Sequence, residues 1–206
     1  SVGRRAIYHS VDLAKPDACG QWVGAAAEQL GGIDILVSNA GRNIFASVSG
    51  TREDDWREAI ELDLAAHWRL VQAARAHLDS SEAGVILVIT SNHAFSTIPG
   101  CFPYNVAKAG LVALVQSLAI EWGPRIRAVG IAPGFIDTAG NQTWFDSFPD
   151  AATERARTEK LHPVGRLGTV EEMGSLCAFL ASPMAGFISG TTILADGGRS
   201  ALMQDK

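Results

Sequence analysis

Three cysteines in 206 residues, at positions 19, 101 and 177, are too few and too scattered for a disulfide framework. No Cys-x-x-Cys pair and no cluster of histidines accompanies them, so no metal site is expected. The pattern fits free thiols in a reducing compartment and so a cytoplasmic location. No apolar stretch reaches the roughly 18 residues of a membrane span, and no signal-peptide pattern opens the chain. The 17 Lys and Arg form no basic stripe, and the formal charge is −5, which argues against nucleic acid as a partner. What is present is ordinary for a soluble globular protein: 47% apolar and 19% charged residues, and a length that suits one domain with a sizeable core.

Read in order, apolar β-rich runs alternate with helical patterns. Strands are expected near 6–10, 33–37, 84–90, 127–132 and 191–195. Helices are expected at Asp17–Leu30, stopped by Gly31-Gly32, and at Glu53–Leu78, with Thr51 as a cap three residues before Asp54. Further helices are expected at Tyr104–Trp122, Ala151–Lys160 and Glu171–Leu180. Strand, helix and strand of these lengths imply right-handed crossovers in a mostly parallel sheet, hence a doubly wound α/β domain. Between Thr138 and Pro163 the periodicity lapses. Such a segment above the ligand edge of a sheet is either an active-site lid or surface filler.

The chemistry concentrates in one stretch. The strand Gly84–Thr90 ends at Ser91, a loop follows, and a helix opens at Tyr104 with Lys108 one turn later on the same face. An ammonium so placed can lower the pKa of a phenol, and a hydroxyl at the strand end can bond the same substrate oxygen. By itself, a Tyr and a Lys one turn apart is also an ordinary helix start.

The ordered set of motifs resembles the short-chain dehydrogenase/reductase family over nearly the whole chain. Ser91 followed by Tyr104-x-x-x-Lys108 looks like its signature, and Ser38-Asn39-Ala40-Gly41 looks like its Asn-Asn-Ala-Gly turn. Pro133-Gly134-Phe135-Ile136-Asp137-Thr138 looks like its Pro-Gly-x-x-x-Thr segment. Gly165-Arg166-Leu167-Gly168 through Glu172, Phe179-Leu180-Ala181-Ser182 and Asp196-Gly197-Gly198 are similar to its last third.

The resemblance implies a Rossmann-like domain over 1–206 with a substrate lid at 138–163. It implies NAD(P)-dependent interconversion of a secondary alcohol, or a sugar hemiacetal, and a carbonyl. Tyr104 would be the general acid/base, Lys108 would lower its pKa and bond the nicotinamide ribose, and Ser91 would polarise the substrate oxygen. Asp63 stands where the family has an Asn that binds a relay water. An ionised carboxylate cannot donate a hydrogen bond as an amide can, and it adds a charge near Lys108, so an altered pH response is expected. For the cofactor, the resemblance points to Asp12 and Leu13 at the adenine edge and to Asn39, Ala40 and Gly41 beside the adenine ribose. It assigns Pro133, Gly134, Ile136 and Thr138 to the nicotinamide wall. Ser38 departs from the family Asn.

His93, Asn141 and Trp144 are the expected substrate contacts, together with Ser91 and Tyr104. With Asn43, Asn92 and Gln142 they would suit a sugar or polyol; steroids and 3-ketoacyl thioesters are the alternatives. The family's G-x-x-x-G-x-G turn, whose amides hold the pyrophosphate, has no counterpart here. Aligned to the family, Ser1 falls just before the third strand, which places roughly 50–60 residues upstream. The chain alone is then expected to bind cofactor more weakly than a longer form. NAD and NADP are not distinguished, since the selecting residue ends a strand that is absent. Assembly into a homotetramer or homodimer through helices 53–78 and 104–122 is implied. The alternative reading is a non-catalytic homologue with a structural or regulatory role.

Overall fold

The run Gly84–Ile89 forms the centre of the computed structural model, which describes residues 5–202. Its side chains alternate between two cores: Ile86 and Val88 face one, Val85 and Leu87 the other. A strand covered on both faces needs no polar side, which is why it reads as a continuous apolar run. This strand, β3, is one of four parallel strands, with β1 (Ile35–Ser38), β5 (Ile126–Pro133) and β6 (Thr192–Ala195), in the order β1-β3-β5-β6. A separate antiparallel pair joins β2 (Phe45–Ala46) to β4 (Phe102–Pro103).

On one face of the sheet lie α1 (Pro16–Leu30), α3 (Ala66–Ser80) and α4 (Tyr104–Trp122), packed through Val23, Leu70, Val71, Leu111 and Val115. On the other lies α7 (Val170–Ala181), packed on Val129 and Ile131 through Leu180. The fold is thus a single Rossmann-like α/β domain with helices on both faces of a parallel sheet. Gly31 closes α1 in the left-handed conformation, φ 84°, which a side chain would resist. Among the described residues, no helix is long and apolar enough to cross a membrane, and all three cysteines are unpaired.

Three expectations need correction. Residues 6–10 form no strand: they pair with no strand among the described residues, and Tyr8 is 87% exposed. Three apolar residues between polar neighbours have no buried face to hold them extended. Thr51 does not cap the next helix. Its hydroxyl donates to the Ser47 carbonyl at 2.9 Å, and α2 (Glu53–Ile60) starts from Arg52, whose side chain makes no cap bond. Three acids in the first turn, Glu53, Asp54 and Asp55, complement the helix's positive end instead. Finally, the long helix is not uniform, because a π turn at Glu61–Ala65 separates α2 from α3.

The 138–163 segment is more ordered than its sequence pattern. Thr138 caps α5 (Ala139–Asp146) by accepting the Asn141 N–H at 3.2 Å, and Asp150 caps α6 (Ala151–Lys160) by accepting that of Thr153 at 3.0 Å. The Gly165–Glu172 motif has a structural explanation of its own. Thr169 and Glu172 form a reciprocal capping box at the start of α7, and Arg166 clamps both Glu172 oxygens at 2.6 and 2.9 Å.

Candidate active site

The functional candidates gather where β1, β3 and β5 end, at the carboxyl edge of the sheet. β3 runs into Ser91, whose side-chain oxygen accepts the His93 N–H at 3.2 Å and starts a short turn at Asn92–Ala94. That turn fixes the hydroxyl beside α4. β4 delivers the chain directly to Tyr104, the first residue of α4, which brings the phenol to the same edge as Ser91. Burial is the main force on the phenol and pushes its pKa up to about 12, with the nearby Ser91 pulling the other way. The charge of Asp63 pushes in the same direction as burial.

One turn along α4, Lys108 is only 4% exposed, with Nζ 5.5 Å from the centre of the Tyr104 ring. Its ammonium donates to the Ile89 carbonyl at 3.4 Å. Burial lowers its pKa, and Asp63 raises it in partial compensation. Asp63 is fully buried because the π turn, a widened coil frequent at functional sites, turns it inward. Its Oδ1 accepts the Arg42 N–H at 2.8 Å, and its Oδ2 has no partner. Burial raises the Asp63 pKa while the Arg42 amide and Lys108 oppose it. Gly41 sits over this pair: a methyl group there would lie 2.7 Å from Asp63 Oδ1 and 3.3 Å from Lys108 Nζ. The glycine of the Asn39-Ala40-Gly41 turn is therefore a packing requirement.

Beneath the turn is a residue the sequence reading missed. His67 is buried, and its Nδ1 lies 2.7 Å from Ser38 Oγ. Burial, and then the charge of Lys108, drive its pKa down to about 3, so it stays neutral at working pH. The replacement of the family Asn by Ser38 was the available signal, since a shorter side chain in a buried turn needs a new partner. Phe45 was missed as well. The β2–β4 pairing sets Phe45 opposite Pro103, and its ring meets Tyr104 edge-on at 5.3 Å.

Other expected site residues fall elsewhere around this edge. Asn39 is exposed, as is Asp12, which accepts the Ala14 N–H at 3.1 Å, while Leu13 packs on the core. Pro133 ends β5, and Gly134 lies so close to the end of β6 that a Cβ would come within 2.8 Å of the Asp196 backbone. Ile136 is buried, and Thr138 spends its hydroxyl on the α5 cap. A cavity of about 220 Å³ opens here, lined by Gly134, Phe135, Ile136, His162 and Asp196. Asn141 and Trp144 make these contacts within residues 135–148: Asn141 Nδ2 donates to the Ile136 carbonyl at 2.7 Å, and Trp144 packs on Phe135, Phe145 and Phe148. Among the described residues, no cluster of His, Cys, Asp and Glu could hold a metal.

A family model described as enoyl-(acyl carrier protein) reductase matches residues 1–200. A probable 2,4-dienoyl-CoA reductase of Bacillus subtilis is 35% identical over 92% of this chain and 74% of its own length. Human dehydrogenase/reductase SDR family member 4 is 36% identical over 85% of this chain, which spans 63% of that protein. The ligand-free aldohexose dehydrogenase of Thermoplasma acidophilum superposes with a TM-score of 0.92 at 26% identity, over 98% of this chain and 82% of its own. Sequence, fold and these relatives agree: the chain belongs to the short-chain dehydrogenase/reductase family and is an oxidoreductase of that family.

Proposed function

We propose that the protein interconverts a secondary alcohol, or a sugar hemiacetal, and the corresponding carbonyl, with Tyr104 as its general acid/base. The observation that carries this reading is the meeting of Tyr104, Ser91 and Lys108 at the carboxyl edge of the sheet, with Asp63 buried behind them. A nicotinamide dinucleotide, when bound, would take or supply the hydride. Its ribose end suits the residues present. Lys108 has one long hydrogen bond at 3.4 Å and retains donors for a diol, and Gly134 and Ile136 border the adjoining cavity. Asp12, Leu13 and Asn39 to Gly41 would contribute adenosine contacts.

In this reading Ser91 and Tyr104 share the reacting oxygen, since the end of β3 and the start of α4 bring both residues to the same edge of the sheet. Lys108 favours the ionised phenol electrostatically, countering the burial that holds its pKa near 12. Ser38 and His67 hold the Asn39–Gly41 turn over Asp63 and Lys108. The 138–163 helices would act as a lid, tied down by Arg155, which bridges Asp137 and Glu159. The test is a nicotinamide absorbance assay with NAD and NADP, in both directions, on aldoses, polyols, steroids and acetoacetyl thioesters. Turnover of at least one class is expected. Silence across the panel with both cofactors would favour the non-catalytic homologue.

We infer self-assembly as well. Trp68 on α3 and Ile120 on α4 are 51% and 81% exposed, on the two helices expected to pair. Light scattering should give the mass of a dimer or tetramer; a monomer at micromolar concentration would sink this part.

A further inference from the structure

The side chains expected to bind several hydroxyls mostly hydrogen-bond to other groups of the protein. Asn141 donates its amide to the Ile136 carbonyl, and Gln142 donates to Asp146 at 2.9 Å while accepting from Arg155 at 3.3 Å. Asn92 is buried, and its Oδ1 accepts from the Ser91 hydroxyl at 3.5 Å. Asn43 remains exposed on the loop before Phe45.

What packs against the Tyr104 ring is aromatic. Phe45 and His93 each meet the Tyr104 ring, at 5.3 and 6.1 Å, and lie 6.3 Å from each other. Phe45 is nevertheless 47% exposed, on a two-residue strand whose partner β4 is held by the stacking of Trp56 of α2 on Phe102. An aromatic ring held in place at the mouth of a site, and left half open to water, has area to offer a ligand. His93 has one ring nitrogen committed to Thr97 at 3.1 Å, so it can make one further hydrogen bond. Burial and the nearby Arg199 lower its pKa, which keeps the ring neutral and compatible with an apolar partner.

We propose that the substrate carries a flat apolar ring or unsaturated group next to its reacting oxygen, bound against Phe45 and His93, and is not an open-chain polyol. This rests on Tyr104 being the proton-transfer residue. A polyol would bury several hydroxyls against carbon here and leave them unpaired, whereas a flat ketone needs only the Ser91–Tyr104 pair for its oxygen.

The probes are α-tetralone and erythrulose, a polyhydroxy ketone too short to close a stable ring. Binding is measured by calorimetry with both oxidised nicotinamide dinucleotides present, so that no reduction occurs. Tetralone should bind and erythrulose should not. Phe45→Ala should weaken tetralone by about tenfold, and Phe45→Tyr, which keeps the ring, should stay within about twofold. Phe45 is half exposed, so the alanine variant should fold, and its circular dichroism checks that. Erythrulose binding as tightly as tetralone, no tetralone binding, or no loss in Phe45→Ala would each overturn the proposal. The turnover assay is separate. Erythrulose turnover without tetralone binding would sink this inference and spare the hydride-transfer reading. Phe45-dependent binding with no turnover of any alcohol or carbonyl would do the reverse.

Discussion

Replacing Tyr104 by Phe is expected to lower turnover by a factor of about 10²–10⁴ while leaving the fold intact. The substitution removes one hydroxyl and keeps the ring that Phe45 and His93 pack against. Ser91 nearby retains its bond from the His93 amide, so little stability is at stake. Melting temperature should therefore barely move. Removing Lys108 would be a poorer test of the same idea. It would leave Asp63 buried without its counter-charge, and lost activity could then report a collapsed site. If Tyr104→Phe retains turnover within about tenfold of the parent, the phenol is not the proton-transfer group.

Much of this site could be read from the sequence because its parts lie on regular elements. The Tyr104 and Lys108 spacing is a property of one helix, and the helix begins at Tyr104 as the pattern indicates. β3 was visible because both its faces are buried, and the α6 boundaries because Asp150 caps a polar run. The helix at Ala139–Asp146 was not visible. Its apolar residues face a local aromatic cluster of Phe135, Phe145 and Phe148 and not the main core, so the pattern lacks a clear stripe. Phe45 was missed for a related reason: a two-residue strand has no periodicity, and only the long-range pairing with β4 sets it beside Tyr104. The π turn is the most instructive case. One extra residue in a helical turn changes which side chains face inward, and hydrophobic spacing averaged over a long helix cannot locate it. Yet that turn puts Asp63 at the site and His67 beneath it, the first singled out from its motif position and the second overlooked.

Asp63→Asn should shift the pH–rate profile for alcohol oxidation toward acid. Two effects set the sign. The Asp63 charge raises the Tyr104 pKa, so removing it makes the phenol easier to ionise. A general base works once it has lost its proton, so the limb on which the rate climbs with pH should move down. The same charge raises the Lys108 pKa, so in the variant Lys108 should lose its proton at lower pH, and the limb on which the rate falls should follow. On the acidic flank the variant should be roughly three- to tenfold faster than the parent, since one unit of pKa is a factor of ten. The amide is also a structural match. Its oxygen can keep the Arg42 N–H bond now made by Oδ1, and its NH₂ replaces Oδ2, which has no partner, with a donor that a relay water could accept. The stability sign follows separately. Burial raises the folded pKa of Asp63 above its unfolded value, so its contribution is full below the unfolded pKa and is lost as pH rises through the folded one. Asparagine has no such ionisation, so the variant's stability should fall less than the parent's as pH rises from about 4 toward neutrality. The measurements are kcat/KM against pH in the oxidative direction and urea unfolding at acidic and neutral pH. An acidic limb that stays in place, or moves toward alkali, would mean that Asp63 carries no charge that Tyr104 feels. The altered pH response expected from this departure would then be wrong.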